Sequence, residues 1–233
     1  MTQAQAVQAQ PPRILPFVLA MAVVVVASNI AVQFPVQGQL GSIQLADILT
    51  YGAFTYPVAF LVTDLANRRY GPVLARKVVF IGFAVAVICS LVFPPLLYKM
   101  GLVPFETEPG RLGRIAAASG AAFLVGQLLD VSVFNRLRRN SWWRAPVFAS
   151  VFGSVVDTAI FFTLSFAAIF AILGPSDAFS LEQAPLLGHF ATTAPRWISW
   201  GLGDLGVKLL IAVVALIPYR LIAMRWRQPA LAV

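Results

Sequence analysis

Six long apolar runs follow one another along this chain, and each is long enough to cross a lipid bilayer as a helix. A helix needs roughly 20 mostly apolar residues to span the hydrocarbon layer. The runs cover about residues 14–34, 45–65, 78–98, 114–135, 147–173 and 199–223. Because lipid offers no partner to unpaired backbone groups, only helices and closed barrels cross it. The runs therefore predict an all-α polytopic membrane protein, a single bundle of six transmembrane helices.

The low charge content supports this class and argues against a large water-exposed domain. Only 11% of the 233 residues are charged, whereas a soluble domain carries roughly 25%. We expect one transmembrane domain over residues 13–227 and a short C-terminal tail over residues 228–233. Residues 1–12 are rich in Gln and Ala and end in Pro-Pro, which predicts a disordered N-terminal tail.

The distribution of Lys and Arg predicts the orientation of the bundle. If the N-terminus is inside, twelve of these cations fall in inner segments and four in outer loops. The inner ones are Arg13, Arg68, Arg69, Arg76, Lys77, Arg136, Arg138, Arg139, Arg144, Arg220, Arg225 and Arg227, and the outer ones are Lys99, Arg111, Arg114 and Arg196. Cations usually concentrate on the cytoplasmic side. We therefore predict a bacterial inner (plasma) membrane protein with both termini cytoplasmic. Because the cations behind the net charge of +8 lie in short clusters between apolar runs, we expect no nucleic-acid partner.

Acidic residues inside apolar runs are costly, because a carboxylate in hydrocarbon is tolerated only when it faces protein or water. Asp204 and Lys208 lie one turn apart on the sixth run, so they are expected to form an ion pair. That pair could be purely structural, or it could couple transport to an ion. Asp64 ends the second run beside Arg68, which leaves both simple ion pairing and a functional role open.

Two further acids predict a binding pocket. Asp130 has Gln127 one turn earlier, and Asp157 lies near Ser154 and Thr158 on its helix. Neither acid has a basic residue one turn away on its own helix, and their helices are joined by a short loop. We therefore expect the two acids to line a shared cavity. The alternative is that they form hydrogen bonds that hold the two helices together.

Enzymatic chemistry finds little support in the sequence. It has no G-x-S-x-G elbow, no H-E-x-x-H motif and no P-loop. The single cysteine, Cys89, and the single histidine, His189, cannot build a metal site between them. We therefore predict a protein that is not an enzyme and that needs no cofactor and no metal.

Several stretches of the chain form a recognisable set of motifs. They are Thr63-Asp64-Leu65, Tyr70-Gly71, residues 75–80, residues 126–138 from Gly126-Gln127 to Arg138, Trp142-Trp143, Ser154-x-x-Asp157-Thr158, Phe161-Phe162, Lys208 and Pro218-Tyr219. Together they resemble the VUT family of queuosine precursor transporters. The similarity runs from about Ser28-Asn29 to Tyr219, nearly the whole chain. Two positions depart from the family pattern: Ser154 stands where Asn or Gln is frequent, and Arg68 stands where an acid is frequent.

The resemblance implies a six-helix importer of 7-cyano-7-deazaguanine and its aminomethyl analogue, precursors of queuosine in tRNA. The ring of these compounds presents N1–H beside an exocyclic amine, a donor pair that a carboxylate can accept. Its carbonyl oxygen needs a donor, such as an amide. The candidate substrate-binding residues are Asp130, Asp157, Gln127, Asn29, Ser154, Asp64 and Asn67, and the candidate ion pair or coupling residues are Asp204 and Lys208.

Two other functions remain open at this point. The chain could be a substrate-binding subunit for a vitamin or nucleobase that works with a separate ATPase module, although we favour a self-sufficient importer. A membrane enzyme is the third and weakest alternative. The expected partners are therefore the deazapurine and the lipid bilayer, and a homo-oligomer is compatible with the sequence.

Reporter fusions test the predicted orientation. A reporter that is active only in the cytoplasm should be active at either terminus, because twelve cations lie on that side and four on the other. Fusions at residues 100–108 should give the opposite result. Periplasmic activity at either terminus would contradict the predicted arrangement.

Overall fold

The computed structural model describes residues 14–139 and 141–226, and these residues are mostly helical. The helices are α1 Leu15–Ala31, α2 Gly52–Thr55, α3 Val58–Tyr70, α4 Pro72–Lys99, α5 Pro109–Leu137, α6 Arg144–Phe166, α7 Ala178–Leu181, α8 Arg196–Val214 and α9 Leu216–Arg225. Two small antiparallel hairpins accompany them, β1 Gln39–Leu40 with β2 Ile43–Gln44 and β3 Gln183–Pro185 with β4 Thr193–Pro195. The predicted tails, residues 1–12 and 228–233, lie outside the described residues.

Four of the helical stretches are long and apolar enough to cross a membrane. They are α4, α5, α6 and the consecutive pair α8–α9, which covers Arg196–Arg225. Helix α1 is apolar but has only 17 residues. The prediction of a multi-pass helical membrane protein is therefore confirmed at this level, whereas the count of six spans stays a prediction.

The second apolar run, predicted as one helix over residues 45–65, is not one helix. A 3₁₀ turn at Leu45–Asp47 is followed by the short α2, and α3 begins only after Pro57. Proline has no N–H and restricts the residue before it, so a continuous helix is not expected across this position. Gly52 also packs directly on α1, because a Cβ there would lie 2.8 Å from the Cβ of Val32. Pro57 and the contact of Gly52 with α1 therefore divide this run.

The last two runs also end differently from the prediction. Helix α6 stops at Phe166, and residues 168–173, which we expected to be helical, form a 3₁₀ segment. The final run divides between α8 and α9 at Ala215. Pro218 explains that division, because it has no N–H to donate to the carbonyl four residues earlier, at Val214.

Arg114 stabilises the end of α6. We had placed it in an outer loop, but it lies inside α5 and is completely buried. Its guanidinium donates hydrogen bonds of 2.7 Å each to the carbonyls of Leu164 and Ala167, and it also reaches the carbonyl of Gly174 at 3.2 Å. The last carbonyls of a helix lack partners within the helix. Arg114 therefore supplies donors that this buried helix end needs.

Helices α5 and α6 form the centre of the bundle, with α4 beside α5 and α8 beside α6. They run antiparallel and cross at two glycines. A Cβ on Gly126 would lie 3.1 Å from the carbonyl oxygen of Gly153, and a Cβ on Gly153 would lie 3.0 Å from that of Gly126. Small residues allow helices in a membrane to approach this closely.

A glycine pattern on α8 serves packing as well. Gly201, Gly203 and Gly206 have the G-x-G-x-x-G spacing of a nucleotide fingerprint, but they lie inside a helix and do not form the turn that leads into one. A Cβ on Gly203 would lie 2.8 Å from the carbonyl oxygen of Ile48, and one on Gly201 would contact Phe162. Gly203 therefore lets residues 48–49 pack against α8, and Gly201 lets α6 do so, whereas nothing lies within 4 Å of a Cβ on Gly206.

The substitution Gly126→Ala tests the helix crossing. Its new methyl group would lie 2.9 Å from the Cβ of Asp157, and such overpacking costs about 1–3 kcal/mol. Gly113→Ala on the same helix is the matched control, because nothing lies within 4 Å of its Cβ. The control should be neutral or up to about 1 kcal/mol more stable. Thermal unfolding in detergent measures both variants, and equal stabilities would contradict the close crossing.

Candidate functional site

A cavity of about 410 Å³ lies between α1, the segment before α3, and helices α4, α5, α6 and α8. Sites for small ligands are typically 300–1,000 Å³, mostly apolar, with a few convergent polar groups. The aromatic lining is Phe161, Phe162, Phe166, Phe179 and Trp200, and the polar lining includes Asn29, Asp157, Asp204 and Lys208. The cavity therefore has both the size and the composition of a small-molecule site.

A buried ammonium group forms the polar centre of this cavity. Lys208 Nζ lies 2.7 Å from Asp157 Oδ2 on α6 and 2.5 Å from Asp204 Oδ2 one turn earlier on α8. It also donates to the hydroxyl of Thr158 at 3.1 Å. Lys208 is 4% exposed, so its charge is balanced by these carboxylates and not by water. The sequence predicts an ion pair of Lys208 with Asp204 only. The structure adds Asp157, on α6, as the second carboxylate.

Tyr56 completes this cluster from the segment between α2 and α3. Its hydroxyl donates to Asp157 Oδ1 at 2.7 Å. Its ring lies under the ammonium group, with Lys208 Nζ 4.9 Å from the ring centroid, a distance suited to a cation–π contact. Asp157 therefore has a donor on each of its two oxygens.

Asp204 has an oxygen that the protein leaves free. Oδ2 accepts from Thr158 at 3.0 Å and from Lys208, whereas no donor from residues 14–139 or 141–226 reaches Oδ1. The side chain is 16% exposed and lines the cavity. Two carboxylates around one ammonium also leave a formal charge of −1. This arrangement can accept hydrogen bonds from a ligand.

Aromatic rings form one wall of the cavity. The rings of Phe162 and Phe166 lie 6.0 Å apart, and those of Phe166 and Trp200 lie 5.4 Å apart, between centroids. The indole N–H of Trp200 donates to the carbonyl of Asp47 at 2.9 Å, which fixes the ring against the irregular segment before α2. Such a wall can pack against a flat ligand ring.

Asn29 lines the cavity from α1, as expected of a binding residue, but its amide already has partners. The nitrogen donates to the carbonyl of Val25 at 2.9 Å, and the oxygen accepts from Ser90 at 2.8 Å. It retains one N–H that a ligand could use.

The other predicted residues lie outside the cavity. Gln127 accepts a hydrogen bond from Thr63 at 2.6 Å, and Asn67 donates to the carbonyl of Val131 at 3.0 Å. Ser154 borders a separate crevice, together with Asp64. These residues form contacts between helices, and none of them lines the large cavity.

The prediction that Asp130 and Asp157 share a cavity is therefore wrong. Helices α5 and α6 are antiparallel and cross at Gly126 and Gly153, and each acid follows its glycine by four residues. Asp157 therefore lies level with Gly126, and Asp130 lies level with Gly153. Four residues rise about 6 Å along a helix, so the acids are on opposite sides of the crossing. Asp130 is completely buried there.

Two features of the site do not follow from spacing along single helices. Asp157 on α6 pairs with Lys208 on α8, and such spacing indicates only partners on the same helix. A charge balance over all the apolar runs would have indicated it, since Lys208 is the one Lys within them. Tyr56 carries no such signal, because its position depends on the break at Pro57.

Comparison with known proteins identifies the family. The profile of the family described as "Putative vitamin uptake transporter" matches residues 50–222. The chain belongs to this family. It is 36% identical to the "Queuosine precursor transporter" of Escherichia coli strain K12 and 35% identical to the "Probable queuosine precursor transporter" of Haemophilus influenzae, in each case over 84% of this chain and 79% of the relative. A "Probable queuosine precursor transporter" of Bacillus subtilis is 32% identical over 52% of this chain and 58% of its own length. No solved structure matches.

These matches confirm the resemblance seen in the sequence. The relatives carry the names of transporters, so the chain is a membrane transporter and not an enzyme. The role of each candidate residue in binding stays a prediction, because the comparisons concern the chain as a whole.

Removing the ammonium group tests the polar centre. Lys208→Met leaves Asp157 and Asp204 without their cation, and breaking a buried ion pair in this way costs about 3–5 kcal/mol. The double variant Asp204→Asn, Lys208→Met still leaves Asp157 charged, so it should recover only part of the stability. Adding Asp157→Asn should recover most of it. Thermal unfolding in detergent measures this series, and a Lys208→Met variant as stable as the parent would contradict the cluster.

Proposed function

We propose that this transporter imports queuosine precursors, 7-cyano-7-deazaguanine and 7-aminomethyl-7-deazaguanine, through the large cavity. The observation that carries the proposal is an aromatic-walled cavity lined by Asp204, whose Oδ1 accepts no hydrogen bond from residues 14–139 or 141–226. The names of three relatives support this substrate class.

Recognition of the purine-like ring follows from the polar centre. Asp204 accepts from the N1–H and amine edge of the ring, a charge-assisted contact. The remaining amide N–H of Asn29, which lines the same cavity, donates to the ring carbonyl oxygen. The wall of Phe162, Phe166 and Trp200 packs on the flat face. Asp157 orients Lys208 by holding one of its N–H groups.

We also propose six membrane crossings, formed by α1, α2–α3, α4, α5, α6 and α8–α9, with both termini cytoplasmic in the inner membrane. The contacts of Arg68, at the end of α3, support this arrangement. Its guanidinium donates to the carbonyl of Arg138 at the end of α5 and to the hydroxyl of Tyr219 on α9. The arginine-rich ends of these helices therefore meet at one end of the bundle, in accordance with the positive-inside rule.

Uptake by the purified chain alone tests whether it is self-sufficient. Liposomes containing only this chain should take up labelled 7-cyano-7-deazaguanine. If uptake instead needs an added ATPase module while binding is normal, the chain is a substrate-binding subunit. Guanine should compete less well, because it has no substituent at position 7 and has an acceptor nitrogen there.

The substitution Asp204→Asn tests the carboxylate in the cavity. It replaces an acceptor with an amide and removes a charge-assisted contact worth about 1.5–3 kcal/mol, so affinity should fall roughly tenfold to a hundredfold. Asp130→Asn is the matched control, because it is the same change at a buried acid outside the cavity. Equilibrium binding of 7-cyano-7-deazaguanine to purified protein measures both. Equal affinities in the two variants would contradict the role of Asp204.

A further inference from the structure

A second polar cluster lies on the other side of the α5–α6 crossing, away from the cavity. Asp64 and Asn67 stand one turn apart on α3, and Asp130 faces them from α5. Their exposures are 2%, 0% and 0%. None of the three lines the large cavity, so substrate recognition does not explain them.

Four oxygens of this cluster have no hydrogen-bond donor within residues 14–139 and 141–226. They are both carboxylate oxygens of Asp130, Oδ1 of Asp64 and the amide oxygen of Asn67. Buried polar atoms are rarely left without a partner, and each such atom calls for an explanation. An acceptor-rich cluster of this kind lacks hydrogens, which a bound proton would supply.

Thr63 donates to Gln127 and Asn67 donates to the carbonyl of Val131, so α3 and α5 pack directly at the level of Asp64 and Asp130 and the two carboxyl groups are neighbours. An ionised carboxylate is only an acceptor, so two of them cannot form a hydrogen bond. When one carboxyl carries a proton, it donates to the other, and the pair holds one negative charge instead of two. Pairs of acids in close contact share a proton in this way for the same reason.

The charges around the two acids also balance when the pair holds one proton. Arg68 is the cation that acts on the pair, and its guanidinium is bound to Tyr219 and to the carbonyl of Arg138. From α6 the Ser150 hydroxyl lies 3.5 Å from Asp64 Oδ2. Arg76 and Lys77 on α4 are exposed. One cation against two acids becomes neutral when one proton is bound.

We propose that Asp64 and Asp130 share one exchangeable proton and that the movement of this proton drives import. The proposal rests on the proposed function for its substrate, but the proton site itself does not. In each cycle an O–H bond forms on one carboxyl with a proton from one side of the membrane. The same bond later breaks and releases the proton to the other side.

Lys208 connects this site to the substrate cavity. A crevice of about 10 Å³ beside the pair is lined by Asp64, Ser150 and Lys208 among others, and Lys208 also lines the large cavity. The crevice is about the size of one water molecule, which suits a proton path. A substrate that binds Asp204 competes with Lys208 for that carboxylate, and a shift of the ammonium changes the electrostatic potential at Asp64.

Accumulation in liposomes tests the coupling. The purified full chain is reconstituted with the interior one pH unit above the exterior, the membrane potential set to zero, and labelled 7-cyano-7-deazaguanine outside. One proton per neutral substrate should concentrate the label about tenfold. Asp130→Asn cannot share the proton, so the label should reach equal concentrations inside and outside the liposomes. The affinity of this variant for the label, and its exchange of internal for external label, should stay within about twofold of the parent.

Two controls separate the possible outcomes. Asp177→Asn, at an outer-loop acid that pairs with Arg111, should accumulate label like the parent. Replacing sodium with choline should change nothing. Accumulation by Asp130→Asn at the parental level, a parent that ignores the pH gradient, or dependence on sodium would each overturn the proposal.

Infrared difference spectra test the proton site without any substrate. A carbonyl band of a protonated carboxyl should be present in the parent and lost in Asp130→Asn and in Asp64→Asn. If the parent binds no deazapurine but shows this band, the substrate assignment fails and the proton site stands. If it binds the deazapurine but lacks the band, the proton site fails and the substrate assignment stands.

Discussion

The buried ammonium of Lys208 is the interaction on which the arrangement of the cavity depends. An unpaired charge in a membrane interior costs several kcal/mol, so α8 must keep Lys208 against the carboxylate of Asp157 on α6. Tyr56 and Thr158 join the same cluster. The cluster therefore fixes three separate segments around one point. It also leaves one oxygen of Asp204 without a donor from the described residues, so the binding that we propose uses a group that also stabilises the fold.

The close crossing of α5 and α6 divides the interior into two polar regions. Because Gly126 and Gly153 let the backbones touch, no space remains between the helices at that level. Asp157 is left on the side of the cavity and Asp130 on the side of Asp64. The proton coupling that we propose needs two sites that are separate but adjacent. Gly126 and Gly153 keep the two regions apart, and Lys208 borders both of them.

Much of the fold could be predicted from the sequence, but less of the site. Helices α4, α5 and α6 were anticipated because long apolar runs reflect the thickness of the bilayer. The run over residues 45–65 is not one helix: Pro57 is a signal for its break that the sequence contains, whereas the contact of Gly52 with α1 is tertiary and has no such signal. The pairing of Asp204 with Lys208 follows from their spacing on one helix. The relation of Asp157 to Lys208, and of Asp130 to Asp64, depends on how different helices are placed, which spacing along the chain does not encode.

The broken second run has a physical consequence for the cavity. Irregular backbone at membrane depth is tolerated where it is buried in protein or lines a water-filled space. Residues 46–50 line the cavity, and their backbone forms specific contacts, including the carbonyl of Ile48 against Gly203 and that of Asp47 with Trp200. A continuous helix would satisfy those carbonyls internally and would place Tyr56 differently. The helix break therefore creates the cavity wall and brings the Tyr56 hydroxyl to Asp157, so that the loss of regular structure is a condition of the site.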